Sequence, residues 1–284
     1  MSLNVEIIKP HIGAIVHADR KRLLSGSAAK ELLSLVEERG VVVFPRIGLS
    51  DAEQLVLTEH MGGRSTYSDH AKISDVDTKG VYTVTLDPKE NPNPDYVHGT
   101  FFWHVDGVIS KPPPPKATLL SARRIAARGG QTEFANTYAA YAQLPDALKA
   151  EIENLEVVHS IYAILKSIVT RPKPEDFARW DELPSTENLQ KLVRVEPSGR
   201  KAITLGNSAD YIEGMGVVEG RSLLARLQDW AVQPDFTYQH QWHEGDLVIW
   251  DNIGVLHRVV PYDAASGRRM NRTSVAPAAA KIAA

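Results

Sequence analysis

The sequence predicts a mainly β fold, a sandwich or jelly roll with helices packed on its outside, and three observations carry that prediction. Short segments rich in β-branched and aromatic residues recur from residue 81 to residue 260, several alternating apolar with polar positions and most bounded by Gly, Pro, Asn or Asp. Helical patterns are few and do not alternate regularly with those segments, which argues against a doubly wound sheet. No internal repeat, low-complexity tract or Pro/Gly-rich linker divides the chain, so residues 1–284 read as one domain.

Taken in order, "SGSAAKELLSLVEERG" places Leu32, Leu33, Leu35 and Val36 at helical spacing, with Ser25 or Ser27 as the cap and Gly40 as the stop. "VVVF" (41–44) follows as a buried strand. Ser50 with Glu53 three residues on makes a capping box that opens a second helix through "EQLVLTEHM", ended by Gly62 and Gly63. The β segments are "VYTVTL" (81–86), "ATLLSARRI" (117–125), "LEVVHSI" (155–161), "KLVRVEP" (191–197), "KAITLG" (201–206), "FTYQHQW" (236–242), "LVIWDN" (247–252) and "GVLHRVV" (254–260). "EPSGRK" reads as a hairpin turn. Helices interrupt around "PDALKAEIENL" (145–155) and "VEGRSLLARLQDWAV" (218–232). The stretch 162–190 mixes charge with proline and reads as a surface loop or a lid insert.

Composition narrows the function. A chain that is 43% hydrophobic and 24% charged, with net charge -3, has no basic excess for nucleic acid or an anionic membrane. A small molecule is the expected partner. Cysteine is absent, which removes disulfides, thiolate nucleophiles and sulfur-bound metal sites, so any metal must sit on His, Asp or Glu. The N-terminal residues lack the pattern of a signal peptide and no run of apolar residues is long enough to span a bilayer, so a cytoplasmic protein is expected.

The chemistry centres on "FFWHVDGVISKPPPP". On an extended strand His104 and Asp106, two residues apart, point to one side and can share a metal, with the prolines as a rigid exit from the strand. An imidazole and a carboxylate suit iron(II), and a second histidine would complete a face that leaves positions open. His257, at the end of "GDLVIWDNIGVLH", is the best placed to supply it. Beyond it lie Arg268, Arg269 and Arg272, whose planar forks suit carboxylates.

With these residues the sequence resembles the taurine dioxygenase and 2,4-dichlorophenoxyacetate dioxygenase family of iron(II)- and 2-oxoglutarate-dependent oxygenases. The resemblance runs through "IGAIVHADRKRLLS", "GVVVFP", "WHVD", "GGQTEF", "YAAYAQLPDALKAEIENLEVVHS", "ADYIEGMGVVEGRSLLARL" and "GDLVIWDNIGVLHR". From Gly206 to His257 it is closer to the phenoxyacetate-degrading branch. It implies a double-stranded β-helix, a relative of the jelly roll, with iron(II), 2-oxoglutarate and O2 as the reacting set. His104, Asp106 and His257 match the iron ligands and the catalytic centre. Thr132 and Arg268 match the 2-oxoglutarate contacts, Arg269 being the adjacent alternative, and Arg272 matches the arginine that meets the acid of the prime substrate. His70, Tyr67, Thr100 and Phe102 are further candidates for substrate contact. Val105 and Gly107 depart from the residues common in relatives, which bears on the shape of the substrate pocket.

The implied reaction hydroxylates a small anionic substrate while 2-oxoglutarate becomes succinate and CO2. An aryloxyalkanoate, cleaved through a hemiacetal, is the first expectation. A sulfonate such as taurine, or an N-acylated or aliphatic amino acid, is the alternative within that chemistry. The rivals from other classes are a cupin-like isomerase or hydrolase using zinc or manganese, and a jelly roll that binds a sugar or anion without catalysis. The resemblance also suggests a homo-oligomer, a dimer or tetramer.

Overall fold

The expected apolar segments do become strands, and their pairing explains why some read as unbroken hydrophobic runs. The computed structural model describes residues 3–65, 80–91, 94–109, 114–182, 187–196 and 198–277. A seven-stranded sheet is ordered β1 (Asn4–Ile7), β2 (Ala14–His17), β3 (Val41–Phe44), β13 (Leu247–Asp251), β5 (Ala117–Arg124), β15 (Arg269–Val275) and β4 (Tyr82–Val84). β3 and β13 are buried at every position because both faces of this sheet are covered. On one face Val42, Phe44, Leu119 and Ile249 meet Leu23, Leu32, Val36 and Leu57 from helices α1 (Arg20–Leu24), α2 (Ala29–Arg39) and α3 (Asp51–His60). On the other, Val41, Val43, Leu120, Val248, Trp250 and Met270 face Phe134 and Val255 of a three-stranded sheet, β12 (Thr237–His240), β6 (Thr132–Asn136) and β14 (Val255–Val259). The space between the two sheets is the interior of the jelly roll.

A second three-stranded sheet orders β11 (Ala209–Ile212), β7 (Glu156–His159) and β8 (Asn188–Lys191), and β9 (Val193–Val195) pairs with β10 (Lys201–Ile203) across the expected hairpin, with Lys201 opposite Val195. The helix Val217–Ala231 buries Leu223, Leu224 and Leu227 in the same cluster as Ile212 and Ile203. The Ser50–Glu53 capping box is present, the serine hydroxyl accepting from Glu53 N and the glutamate side chain accepting from Ser50 N.

Several expectations need correction. The expected helix is present as α2, but it begins at Ala29 with no side-chain cap, and a short helix before it, α1, capped by Asp19, goes unread in the sequence. Ser25 and Ser27 bond each other, and Ser25 Oγ donates to Arg22 O, closing α1 instead of opening α2. Gly40 does stop α2, at φ 74, a conformation that costs a side chain dearly. The stretch 162–190 contains two helices, Ile161–Ile168 and Pro174–Asp181. Ser160 caps the first through Ala163 N, Pro174 fits the first turn of the second, and Trp180 anchors that helix in the interior. His104 and Asp106 do not lie on a continuous strand: His104 forms an isolated antiparallel bridge, and a turn begins at Asp106.

Candidate metal centre

That bridge joins His104 to His257, each N–H donating to the other's carbonyl at 3.0 Å. Opposed residues of an antiparallel pair project to the same side. The two imidazoles therefore lie together, ring centroids 4.1 Å apart. The turn after Val105 brings in Asp106, whose Oδ1 lies 4.0 Å from His104 Nε2 and whose Oδ2 lies 3.8 Å from His257 Nε2. Among the described residues, one ligand atom from each of His104, Asp106 and His257 lies within 4.8 Å of the others.

The protonation pattern suits a cation. His104 Nδ1 is 2.9 Å from Phe102 O; a carbonyl only accepts, so Nδ1 carries the proton and the Nε2 lone pair turns towards Asp106. Burial lowers the pKa of His104, with Asp106 acting in the opposite sense. Burial, reinforced by His104, takes His257 well below its ordinary value. Both rings are neutral at pH 7. Burial alone would raise Asp106, but the Arg272 guanidinium, the two imidazoles and the Thr118 hydroxyl outweigh it and hold the carboxyl below its usual range. Two lone pairs and an anion, spaced too widely to bond one another, fit one divalent ion.

Around this centre the sheets place the other expected residues. Alternation along β15 puts Met270 and Arg272 on the interior side, and Arg268, the residue just before the strand, is buried as well. Arg272 Nη1 lies 3.3 Å from Asp106 Oδ1 and its guanidinium lies over the Tyr82 ring, 4.7 Å from the centroid. Arg268 sits four residues away, roughly 13 Å along the strand. It is 2% exposed, donates to Gly130 O at 3.1 Å and lies over the Tyr262 ring. No ion pair holds Arg268 among the described residues, so a buried cation faces the interior with a carbonyl and a ring for company. Arg269 instead turns outward, 3.5 Å from Glu90. Thr132 shares the interior side of β6 and β14 with Phe134, His257 and Val259, and its Oγ1 accepts from Trp242 Nε1 at 2.9 Å.

The proposed substrate contacts are less concentrated. The Thr100 hydroxyl donates to Val97 O at 2.7 Å and its carbonyl accepts from Val259 N. Phe102 is 43% exposed and lines a cavity of about 490 Å³ with Lys166, Leu205, Asp210 and Leu224. Phe101 packs edge-on against Tyr262, and Trp103 joins the core beneath the Val217–Ala231 helix under the Arg258 guanidinium. Tyr67 and His70 lie outside the described residues.

Sequence reasoning passed over Thr118 and Asn252. Thr118 Oγ1 donates to Asp106 Oδ2 at 2.8 Å, and Asn252 Nδ2 donates to Thr118 Oγ1 at 2.8 Å. Their role depends on strand register, which no local pattern signals. It also passed over Gly206, where a β-carbon would stand 3.0 Å from His104 Cα.

Among curated proteins, the chain is 33% identical over 273 residues to the alpha-ketoglutarate-dependent 2,4-dichlorophenoxyacetate dioxygenase of Cupriavidus pinatubonensis, covering 90% of this chain and 91% of that protein. It is 31% identical to the (S)-phenoxypropionate/alpha-ketoglutarate-dioxygenase of Sphingobium herbicidovorans, covering 93% and 91%. Among solved structures, AAD-2 in complex with Mn(II) and N-oxalylglycine superimposes with a TM-score of 0.81 at 33% identity, covering 99% of this chain and 100% of that one. The family described as "Taurine catabolism dioxygenase TauD, TfdA family" matches residues 4–274. Little of the sequence falls outside that match, and the chain belongs to this TauD, TfdA family.

Proposed function

We propose that the protein is an iron(II)- and 2-oxoglutarate-dependent dioxygenase that hydroxylates a small anionic substrate, with an aryloxyalkanoate as the first choice. The observation that carries this reading is the convergence of His104, Asp106 and His257 beside Arg272, with the buried Arg268 just ahead of the same strand. A zinc isomerase would use the first three and give no task to Arg268, a buried cation with no ion pair among the described residues. The close relatives act on phenoxy acids, and that supports the choice of substrate.

His104, Asp106 and His257 would hold the iron(II), which would supply the oxidative decarboxylation of 2-oxoglutarate by O2 to succinate and CO2 that hydroxylates the substrate. The residues of the chain do the rest. Arg268 grips the distal carboxylate of 2-oxoglutarate, and the Thr132 hydroxyl, with one lone pair taken by Trp242, donates its proton to a carboxylate oxygen. Arg272 receives the acid of the prime substrate. Phe134, Trp250 and Met270 keep the space between the sheets dry. When hydroxyl is placed on the carbon next to an ether oxygen, the hemiacetal divides into a phenol and a 2-oxo acid.

The whole chain is read as one oxygenase domain in which the 162–190 segment is a lid. The helix Ile161–Ile168 packs against Pro94–Gly99, which runs into the Phe101–Asp106 stretch, and buries none of its own residues. A cytoplasmic dimer or tetramer is read from the sequence alone, and light scattering checks the second point. The decisive assay incubates protein with iron(II), ascorbate, 2-oxoglutarate and phenoxyacetate. Succinate and phenol in equal amounts are expected. Absence of succinate with phenoxyacetate, 2-phenoxypropionate, taurine and N-succinyl amino acids alike, from protein that binds the metal, overturns the proposal.

A further inference from the structure

We infer that Thr118 and Asn252 form a positioning relay that fixes the Asp106 carboxylate for the metal, an inference that rests on the metal-centre reading above. All three side chains are buried, Thr118 and Asn252 at 0% exposure and Asp106 at 4%. Polar groups so deep must be matched donor to acceptor. The match here has one direction. A carboxylate only accepts, so the single Thr118 proton is spent on Asp106 Oδ2. The Thr118 oxygen is then an acceptor towards Asn252, which is why the amide presents Nδ2 to it. Amide to hydroxyl to carboxylate is a chain in which turning the hydroxyl or the amide breaks a buried hydrogen bond.

Each member is held by a different part of the fold. Thr118 lies on β5, opposite Trp250 of β13 on one side and Ser274 of β15 on the other. Asn252 follows β13 directly, its N–H bonded to Lys116 O, in a turn closed by Asp251 Oδ1 accepting from Ile253 N and Gly254 N. That turn carries the chain into β14 and so to His257. The relay thus couples the turn between β13 and β14, which delivers the last metal ligand, to the carboxylate supplied by a distant turn. With Arg272 on Oδ1 and Thr118 on Oδ2, both carboxylate oxygens have a donor and the plane of the group is set before any metal arrives.

The test measures metal affinity, using Mn(II) by calorimetry and Co(II) by its ligand-field spectrum, on the full chain without 2-oxoglutarate. Groups that support metal ligands are worth about 10- to 100-fold in affinity. Thr118→Val, the same shape without the donor, should weaken Mn(II) binding by that factor and shift the Co(II) bands. Thr118→Ser, which keeps the donor, should restore affinity to within about three-fold of the parent, and Asn252→Leu should give a loss of the same kind as Thr118→Val. Circular dichroism melting of the metal-free variants checks that they fold; were Thr118→Val not to fold, the Ser and Leu variants alone decide. Equal affinity and equal Co(II) spectra in the Val, Leu and parent proteins overturn the relay, as does a Ser variant no better than Val. His104→Ala separates the two readings: unaltered Mn(II) affinity in that variant removes the metal centre itself, whereas lost affinity there with unaltered Thr118→Val removes only the relay.

Discussion

Replacing His159 with glutamine should flatten the acid side of the stability curve. His159 ends β7, fully buried, with Nδ1 2.8 Å from Ser208 Oγ and Nε2 without a partner. Burial, with Arg194 adding repulsion, takes its pKa from 6.5 down to about 3. The unfolded ring titrates near 6.5. Below that pH the unfolded chain takes up a proton that the native chain refuses, so stability falls as pH falls. The contribution is complete above pH 6.5 and is lost as pH drops from there through about 3. The slope is roughly half of 1.4 kcal/mol per pH unit at pH 6.5, where the unfolded ring is half protonated, and nears the full value below it, so going from pH 6.5 to pH 4.5 removes about 2 kcal/mol through this one ring. That is a large share of the roughly 5–15 kcal/mol that holds a domain folded. Glutamine still offers Ser208 a hydrogen bond and has no proton to gain. Urea unfolding of both proteins at intervals from pH 7 to 4.5 should show the difference between their stabilities shrinking by about that amount, since the other titrating groups are common to both. Parallel curves refute the reasoning.

Asp251 should tilt the other way. Burial, with the Glu196 charge adding to it and two backbone donors opposing, raises its pKa to about 7. The stability it contributes is complete below 3.8 and lost as pH rises through 7, so Asp251→Asn should gain on the parent between pH 5 and 8 in melting temperature. Gly206→Ala should damage the centre out of proportion to the fold. Gly206 has φ +119, and a β-carbon there would stand 3.0 Å from His104 Cα and 3.1 Å from Trp103 O, both backbone atoms. A strain of about 1–3 kcal/mol should appear as a few degrees of melting temperature with a disproportionate loss in Mn(II) affinity, and unaltered affinity counts against the contact. Arg268→Ala should raise KM for 2-oxoglutarate by about 10- to 100-fold, the worth of hydrogen bonds to a charged group, and leave the KM of the prime substrate close to the parent's. Arg272→Ala should do the reverse. Steady-state kinetics of the two variants decide it, and like behaviour refutes the division of labour.

The strands most legible in the sequence are those whose environment is uniform. β3 and β13 lie between two apolar layers and are hydrophobic throughout, so composition alone marks them. β15 pairs with both β4 and β5, yet "RMNRTSV" reads as polar. Its outward Thr273 meets the buried Gln54 and Thr58, Gln54 also takes the Asn271 carbonyl, and its inward Arg272 meets Asp106. Burial there is of matched polar groups, and hydrophobic periodicity has nothing to register. The helices in 162–190 escaped for a related reason: Ile161–Ile168 covers other elements without burying its own residues, and proline at 174 starts a helix as readily as it breaks one. At the centre strand alternation predicts the pairing of His104 with Asp106, whereas in the structure His104 bridges to His257 and a turn brings Asp106 beside them. The residue types were legible because metal chemistry restricts them. Thr118 and Asn252 were not, since threonine in a strand and asparagine in a turn are ordinary until register aligns them.

Charge balance in the interior connects the site to the kind of substrate proposed. Among the described residues that face the centre, one negative charge, Asp106, stands against two positive ones, Arg268 and Arg272, and both histidines are neutral. A divalent ion raises that excess to three. Buried charge of one sign is tolerated only when an opposite charge joins it. The dianion of 2-oxoglutarate removes two of the three, and a carboxylate or sulfonate of single charge removes the last. On the proposed reading the acid of the prime substrate supplies that last charge beside Arg272, so affinity rests on the acid and the ring is free to vary. Selectivity among substrates that share the acid then has to come from the shape of the pocket.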